Sequence, residues 1–292
     1  MDQSFTGPTP SLAPLLEAFV ATATEGTVTR AAEAIGVPQS TLSRRLRALE
    51  EHLGIALFLP EGRGLRLTAR GQDFLSGVRG PLRALEGAVQ AAAQDADAES
   101  GIVRFGFPLT LGPVSVPALL ADFHRRAPGI RLALVQAHGE ALTRMLADGE
   151  LDLAIVIPEP RELPSRLLGF QPVRLLVSRA HPLADRERVD LAELAGERFV
   201  ANPGSYHLRG LLERWCRAAG FEPEVAFEIT EFETLRALVA RGLGIALMPP
   251  AELPHPELVE IPLDGPDARR SIGLATGLAE LTPAARRLHD DL

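Results

Sequence analysis

The sequence predicts an α/β protein with an N-terminal winged helix-turn-helix, a long linker helix and a two-lobed α/β domain. Three short helical patterns, followed by two extended runs around a glycine-rich turn, occupy residues 11–68 in the order of a winged helix-turn-helix. An apolar repeat at helical spacing then covers residues 69–95. Over residues 101–292 strand and helix patterns alternate, as they do in α/β architectures.

The N-terminal module begins with an amphipathic helix. Its apolar side chains recur at the spacing of one helix face: Leu12, Leu15, Leu16, Phe19, Val20 and Ala23. Gly26 ends this helix, Thr27 can cap the next one, and Gly36 ends that second helix. A third helix is expected from about Gln39 to Leu53, and the run FLPEGRGLRLT after it predicts a β-hairpin, the wing.

The third helix has two chemically different faces. Leu42, Leu46 and Leu49 form an apolar stripe that only a protein core would accept. The opposite face and the helix start carry an amide, hydroxyls and guanidinium groups: Gln39, Ser40, Thr41, Ser43, Arg44 and Arg47. Such groups hydrogen-bond base edges in the major groove. A solvated face explains the helix alone equally well, but the two preceding helices and the wing favour DNA reading.

Positive charge is concentrated in this module. The chain has a formal net charge of −8, yet seven arginines face four acidic residues between Thr27 and Arg70. A cationic module on an acidic body is typical of a nucleic-acid binder with a separate sensing part. Three of these arginines are placed to contact backbone phosphates, Arg45, Arg63 and Arg66, and Arg30 is a further predicted DNA contact.

The linker helix predicts an oligomer. Its apolar residues step by three and four along a heptad seam: Leu75, Val78, Leu82, Leu85 and Val89. A seam of this kind pairs with the same helix of a second copy, giving a homodimer or homotetramer. Packing against the protein's own body is the alternative. Gly80-Pro81 should kink the helix.

Residues 101–292 predict a binding domain. Strands and helices suggest largely parallel sheets in two lobes, lobe I at about 101–172 plus 262–292 and lobe II at about 173–261. Two lobes joined by paired crossings resemble periplasmic binding proteins of type 2, whose cleft closes on a small molecule. Ligands in such folds contact strand C-termini and helix N-termini. The predicted contacts are Pro108, Leu109, Thr110, His138, Pro158, Gly204, Ser205, Thr230 and Met248.

Thr110 is the predicted anchor for a carboxylate or similar anion, through its hydroxyl and a backbone N–H. A plain helix cap is the alternative for Thr110, and a surface-loop histidine is the simpler interpretation of His138. The seven histidines are scattered without metal-ligand spacing, and no G-x-S-x-G motif occurs. We therefore expect neither an enzyme nor a metal or cofactor. A single cysteine excludes an internal disulfide, and the absence of a membrane-length apolar run predicts a cytoplasmic protein.

The motifs together carry a family resemblance. The run TVTRAAEAIGVPQSTLSRRLRALEEHLGIALFLPEGRGLRLTARG closely resembles the N-terminal signature of LysR-type transcriptional regulators. GFPLTLGP, GELDLAIV, NPGS and LVARGLGIALMP follow in the order of that family, so nearly the whole chain is covered. The resemblance implies a sequence-specific DNA-binding regulator controlled by a small-molecule effector bound between the lobes. A cytoplasmic solute-binding protein without a DNA role is the alternative function.

Carried over by position, the resemblance makes the polar residues of the third helix the base contacts and Arg63 and Arg66 the wing contacts. Two departures matter. Pro38 stands where the family usually has a serine cap, and Leu59-Pro60 replaces a charged pair that leads into the wing. The second departure puts one customary phosphate contact in doubt.

Overall fold

The computed structural model divides into two compact units, Met1–Glu86 and Gly87–Leu292. Each is described separately. The structure describes residues 9–62, 64–93, 100–253, 255–264, 268–278 and 280–292. No helix within these ranges is both long and apolar enough to cross a bilayer.

The first unit confirms the predicted winged helix-turn-helix. Its elements are α1 (Thr9–Glu25), α2 (Val28–Ala34), α3 (Gln39–Leu53), β1 (Phe58–Glu61), β2 (Gly64–Leu67) and the larger part of α4 (Ala69–Ala93), a helix whose last residues belong to the second unit. The two strands pair antiparallel and form the wing. Thr27 caps α2 as predicted, because its side chain accepts a hydrogen bond from the backbone N–H of Arg30. Pro38 precedes α3 without a side-chain cap bond, and its carbonyl accepts from the N–H of Thr41 at 2.9 Å.

A small aromatic and leucine core holds these helices together. The Phe19 ring of α1 lies 5.4 Å from the Phe58 ring at the wing and 5.2 Å from the Phe74 ring of α4, centroid to centroid. Leu42 and Leu49 of α3 are fully buried in the same core. Because the core draws on α1, α3, α4 and the wing, the orientation of α3 depends on all of them.

The wing is held to the helices by a carboxylate and a glycine. The Glu50 carboxylate of α3 accepts hydrogen bonds from the backbone N–H groups of Leu57 at 2.7 Å and Phe58 at 3.2 Å. At the start of α4, Gly71 lies so close to Leu57 that an added Cβ would meet the Leu57 carbonyl oxygen at 2.2 Å. Only glycine allows this approach of two backbones.

The predicted heptad seam of α4 divides into two parts. Leu75 is buried in the core of the first unit and Val78 packs against that core, so these two residues do not belong to a free seam. The close approach at Gly71 holds the first turns of α4 against the unit's own core, which is the alternative that the sequence left open. Further along, Leu82 is half-buried, while Leu85 is 51% and Val89 60% exposed.

The second unit alternates strands and helices. In chain order its elements are β3 (Gly101–Pro108), a 3₁₀ helix (Leu109–Leu111), α5 (Ser115–Arg126), β4 (Ile130–Ala137), α6 (Gly139–Ala147), β5 (Leu153–Val156), β6 (Ser165–Pro172), β7 (Arg174–Ser178), β8 (Val189–Asp190), a 3₁₀ helix (Leu191–Leu194), β9 (Arg198–Ala201), α7 (His207–Ala218), β10 (Glu224–Glu228), α8 (Phe232–Ala240), β11 (Ala246–Met248), β12 (Leu258–Ile261), β13 (Leu263–Asp264), β14 (Arg269–Thr276) and α9 (Pro283–Asp291). Lobe I contains a five-stranded sheet in the order β4-β3-β5-β14-β6. Lobe II contains the three-stranded sheet β11-β7-β12 and two parallel pairs, β10-β9 and β13-β8.

The sheets are mixed, which corrects the prediction of largely parallel sheets. In lobe I, β3 pairs parallel with β4 and β5, but β14 pairs antiparallel with β5 and β6. In lobe II, β11 and β12 both pair antiparallel with β7. Two of these antiparallel pairs, β14 with β6 and β12 with β7, lie where the chain passes between the lobes, since each return strand lies beside the outgoing one. Because β13 pairs with β8, lobe II also includes residues 263–264.

Gly71→Ala should destabilise the first unit by about 1–3 kcal/mol, because the new methyl group collides with a backbone oxygen. Gly77→Ala is the matched control, since Gly77 lies in the same helix with open space around it. That control should be neutral or stabilising by about 0.5–1 kcal/mol. Urea denaturation followed by circular dichroism measures both. Equal stability of the two variants would contradict the close approach.

Candidate nucleic-acid interface and ligand cleft

The polar face of α3 is open to solvent. Gln39, Ser40, Arg44 and Arg47 are exposed, and Thr41 and Ser43 are partly exposed. The leucines of the opposite face are buried in the core. The structure therefore places the predicted base-reading side chains on one accessible face.

Two of the predicted phosphate contacts are exposed and weakly paired. Arg30 forms an ion pair with Glu25 at 2.9 Å, and Arg66 forms one with Glu61 at 3.0 Å. Surface ion pairs of this kind contribute little, so a phosphate can replace the carboxylate at small cost. Arg63 lies outside the described residues.

Arg45 differs from the other arginines of α3. Its Nη1 lies 3.6 Å from a Glu17 carboxylate oxygen on α1, and that nitrogen is buried. One residue after Arg44, the helix has turned by about 100° and directs this side chain toward α1. Arg45 therefore lies beside α1 and not on the open polar face, and its contact with DNA stays a prediction.

A cleft in the second unit is lined by residues of both lobes. Its lining is Pro108, Leu109, Thr110, His138, Gly139, Ile157, Tyr206, His207, Leu208, Phe232 and Arg270. Of the predicted contacts, the loop after β3 and the histidine before α6 are brought together here. Pro158 is not among the residues that line the cleft, whereas its neighbour Ile157 is.

In lobe II, the residues that line the cleft lie one or two positions along the chain from the predicted ones. Gly204 and Ser205 are exposed, and the residues that line the cleft are their neighbours Tyr206 and His207, at the start of α7. Thr230 is exposed, and Phe232 of α8 lines the cleft in its place. The largest correction concerns Met248, which is 2% exposed within the apolar core of lobe II. All three residues of β11 are buried in this core, so neither face of the strand is open to the cleft.

Arg270 is a cleft residue that the sequence did not indicate. Its guanidinium, 7% exposed, donates from Nε to the Gln171 amide oxygen at 3.1 Å and from Nη2 to the Thr110 hydroxyl at 3.3 Å. Among the described residues no carboxylate lies within ion-pair distance of it, and burial lowers the pKa of Arg270 to about 9. Thr110 is therefore bonded to the arginine, and the helix that follows begins at Ser115. The alternative of a plain helix cap for Thr110 is wrong, because Val114 precedes α5 and Pro108 precedes the 3₁₀ helix.

Arg236 is a second buried arginine, and its charge is compensated by carboxylates. Glu233 lies 3.4 Å and Glu260 3.9 Å from its guanidinium nitrogens. Burial lowers the pKa of Arg236, and both carboxylates oppose that effect. Burying an ion without a counter-charge costs several kcal/mol even after relaxation. Arg270, with neutral partners alone, carries an uncompensated charge that an anionic ligand would offset.

Two histidines and a tyrosine complete the polar part of the cleft. The Nδ1 atoms of His138 and His207 are buried without a hydrogen-bond partner among the described residues. The His138 ring of lobe I stacks on the Tyr206 ring of lobe II at 4.7 Å between centroids. Burial, together with the charges of Arg270 and Arg214, lowers the pKa of His207 to about 4. His207 is thus neutral at physiological pH.

A second contact joins the lobes. The Glu252 carboxylate, on the loop after β11, accepts hydrogen bonds from the backbone N–H groups of Val114 at 2.8 Å and Ser115 at 3.1 Å. These N–H groups begin α5 of lobe I, where a negative charge is favoured. A carboxylate of the protein itself thus occupies the start of α5, and the free donors of the cleft lie at Arg270 and the histidines.

The thiol chemistry of the chain is restricted. Cys216 is fully buried, and burial together with the Glu222 charge raises its pKa to about 11. A thiolate is therefore strongly disfavoured at physiological pH. Across the described ranges, no three histidine, cysteine or acidic side chains come together as metal ligands.

Comparison with known proteins finds one matching family model in each part of the chain. The family model for the bacterial regulatory helix-turn-helix protein, lysR family, matches residues 14–72, and the LysR substrate binding domain matches residues 96–292. The uncharacterized HTH-type transcriptional regulator YybE of Bacillus subtilis is 33% identical over 263 residues, covering 89% of this chain and 90% of YybE. The dual regulator OxyR of Escherichia coli is 33% identical over 265 residues, covering 89% and 87%.

Among solved structures, a full-length OxyR variant of Pseudomonas aeruginosa superimposes with a TM-score of 0.73 at 24% identity. The match covers 96% of each chain. At this identity the likeness concerns the fold, which extends over both the helix-turn-helix and the two-lobed domain.

Proposed function

The chain belongs to the LysR family of DNA-binding transcriptional regulators, and on this premise we propose how its parts act. The first unit reads double-stranded DNA through α3, and the second unit binds a small-molecule effector in the cleft between its lobes. Such a protein acts where the chromosome is, so we place it in the cytoplasm.

One observation carries the DNA-binding proposal, namely the exposed polar face of α3. Its buried leucines leave Gln39, Ser40, Arg44 and Arg47 accessible on one side. Arginine bonds guanine bidentately, glutamine bonds adenine, and serine accommodates either. A solute-binding protein without a DNA role would have no use for this face, so that alternative is not favoured.

Phosphate contacts would position α3 in the groove. Arg30 and Arg66 are exposed in the same unit, and each can give up its weak ion pair with a glutamate for one with a DNA phosphate. Each phosphate neutralised should steepen the dependence of log affinity on log salt by about 0.9.

The exposed end of α4 supports a homo-oligomer. Leu85 and Val89 lie about two and three turns beyond Val78, the last described residue of α4 that packs on the core of the first unit, and both are more than half exposed. Apolar side chains at this spacing pair with the same helix of a second copy. Two copies would place two α3 helices on half-sites about 34 Å apart, or a multiple of that distance.

Effector binding would act through the contacts between the lobes. The ring stacking of His138 on Tyr206 and the Glu252 bond to the start of α5 both depend on the lobes lying close together. A ligand in the cleft changes the stability of that arrangement and is thereby coupled to DNA binding. The thiol of Cys216 is buried and its pKa is raised, which disfavours redox control through it. We propose no catalytic activity, since the family that matches consists of transcriptional regulators.

The double variant Arg44→Ala/Arg47→Ala should lose selectivity for the promoter DNA beside its own gene. Each base-bonding arginine contributes about 1–3 kcal/mol of discrimination. Gel shifts with that DNA and with a scrambled duplex measure the ratio of affinities. Arg45→Ala is the control, and each of the single variants Arg44→Ala and Arg47→Ala is compared with it, since each removes one charge from the same helix while Arg45 lies beside Glu17. Selectivity retained by the double variant, or lost equally in the control, would refute base reading by this face.

Leu85→Asp should convert the oligomer to a smaller species, because a charge replaces an exposed apolar side chain without disturbing the core of the first unit. Light scattering of the full chain gives the mass. Ser76→Asp is the matched control, as Ser76 is exposed on α4 nearer its start. If the Leu85 variant keeps the wild-type mass, α4 does not hold the copies together.

A further inference from the structure

We propose that Glu252 is a clasp that holds the two lobes of the second unit closed, and that an effector must break this clasp to enter the cleft. The clasp consists of the Glu252 carboxylate of lobe II and the backbone N–H groups at the start of α5 of lobe I. This inference rests on the proposed function, because it describes how access to the effector cleft is regulated.

Helix α5 obtains no cap from its own N-cap side chain. Val114 stands at the N-cap position, where serine, threonine, aspartate and asparagine are preferred, and a valine side chain cannot accept a hydrogen bond. The Glu252 carboxylate, 138 positions further along the chain, accepts from the N–H of Val114 at 2.8 Å and from that of Ser115 at 3.1 Å. A negative charge at this end of a helix is also favoured by its dipole. Lobe II therefore supplies the cap of a lobe I helix.

The loop that carries Glu252 is anchored within lobe II immediately before this residue. The buried guanidinium of Arg236 donates from Nη2 to the Pro249 carbonyl at 3.0 Å, and the Glu260 carboxylate accepts from the N–H of Ala251 at 2.7 Å. Arg236 and Glu260 also lie 3.9 Å apart, from Nη1 to Oε1. This charge pair therefore fixes the backbone that directs Glu252 toward α5.

The clasp closes a segment that lobe II also contacts at its other end. Leu109 begins the segment that leads from β3 to α5, and its side chain packs against the apolar core of lobe II. Glu252 is bonded to the end of the same segment, at Val114 and Ser115. Separation of the lobes would therefore break an apolar contact at one end of the segment and remove the helix cap at the other.

The cleft in this arrangement is too small for an effector. Its free space is about 20 Å³, little more than one water molecule needs, whereas small-molecule sites enclose about 300–1,000 Å³. The lobes must therefore move apart before a molecule of ordinary metabolite size can enter, and that movement breaks the clasp. Because clasp and effector compete, the apparent affinity for the effector is reduced by the fraction of molecules that are open.

Glu252→Ala should shift the lobes toward the open arrangement. Replacement of a helix-capping residue by alanine lowers the stability of the capped state, here the ratio of closed to open molecules, by about fivefold to tenfold. Glu252→Gln keeps an acceptor oxygen but loses the charge, so its effect should be smaller. Glu257→Ala is the matched control, because it removes an exposed carboxylate from the same lobe, close to the clasp in sequence.

Diethylpyrocarbonate, which modifies neutral imidazoles, measures how far the cleft opens. His138 and His207 line the cleft from lobe I and lobe II, their Nδ1 atoms are buried, and the pKa of His207 is about 4. The exposed His124 of α5 is the internal reference. At neutral pH, mass spectrometry of the full-length protein should show both cleft histidines reacting more slowly than His124 in the wild type. In Glu252→Ala their rates should rise about fivefold to tenfold while the rate of His124 stays the same.

Access to the buried thiol of Cys216 distinguishes opening of the lobes from unfolding. Cys216 lies in the core of lobe II and should stay unreactive toward a thiol reagent in every variant. If Glu252→Ala exposes it, Glu252→Gln decides. Cleft histidines that react as fast as His124 in the wild type would overturn the clasp. Rates that are equal in the wild type and both folded Glu252 variants, or that rise as much in Glu257→Ala, would also overturn it.

Gel shifts of the same proteins keep this inference apart from the function, since the modification experiment contains neither DNA nor effector. Wild-type protein that binds its promoter DNA selectively, with histidine rates that do not respond to Glu252, contradicts the clasp alone. Histidine rates that respond to Glu252 in a protein without selective DNA binding contradict the proposed regulator and leave the clasp intact.

Discussion

The burial of the leucine face of α3 is the constraint on which the DNA-binding unit depends. Leu42, Leu46 and Leu49 are in the core with Phe19, and each contributes about 1.5–3 kcal/mol relative to exposure. Any rotation of α3 about its axis would expose these side chains and bury guanidinium groups. The apolar stripe therefore determines which side chains face outward, and the wing, held by Glu50 and Gly71, fixes the helix from the other side.

The second unit contains a buried charge, that of Arg270, which no carboxylate among the described residues compensates. Arg270 is buried among neutral partners, whereas Arg236, which is also buried, has two carboxylates beside it. A fold that compensates one arginine and not the other carries a cost that a bound anion would remove. The lobes meet around this charge through His138 and Tyr206, so ligand binding and lobe closure involve the same side chains.

Much of this architecture could be predicted from the sequence because it rests on local periodicity. The helix α3 follows from its leucine spacing, and β7 follows from a short apolar run. Alternation could not predict β6, because Leu167 and Leu168 are adjacent, Gly169 follows them, and most of the strand is exposed. The sequence could not show that both faces of β11 are covered by the core, which is why Met248 was predicted in the cleft.

Arg270 could not be identified as a cleft residue from the sequence around it. Arg270 lies 160 positions from Thr110 and reaches it only because β14 returns from lobe II into the sheet of lobe I. The division of the α4 seam has a similar origin, since Leu75 and Leu85 share one repeat and differ only in what packs against them. The sequence shows which residues of α4 are apolar, but only the tertiary contacts determine whether each of them is buried or exposed.

The most direct test of the account is dimethyl sulfate footprinting of the protein on the promoter DNA beside its own gene. The reagent methylates guanine N7 in the major groove and adenine N3 in the minor groove. If the open face of α3 reads bases, guanine N7 atoms should be protected in two half-sites about one helical turn apart, or a multiple of it. Unprotected guanines together with protected adenine N3 atoms would place the protein in the minor groove and contradict the account.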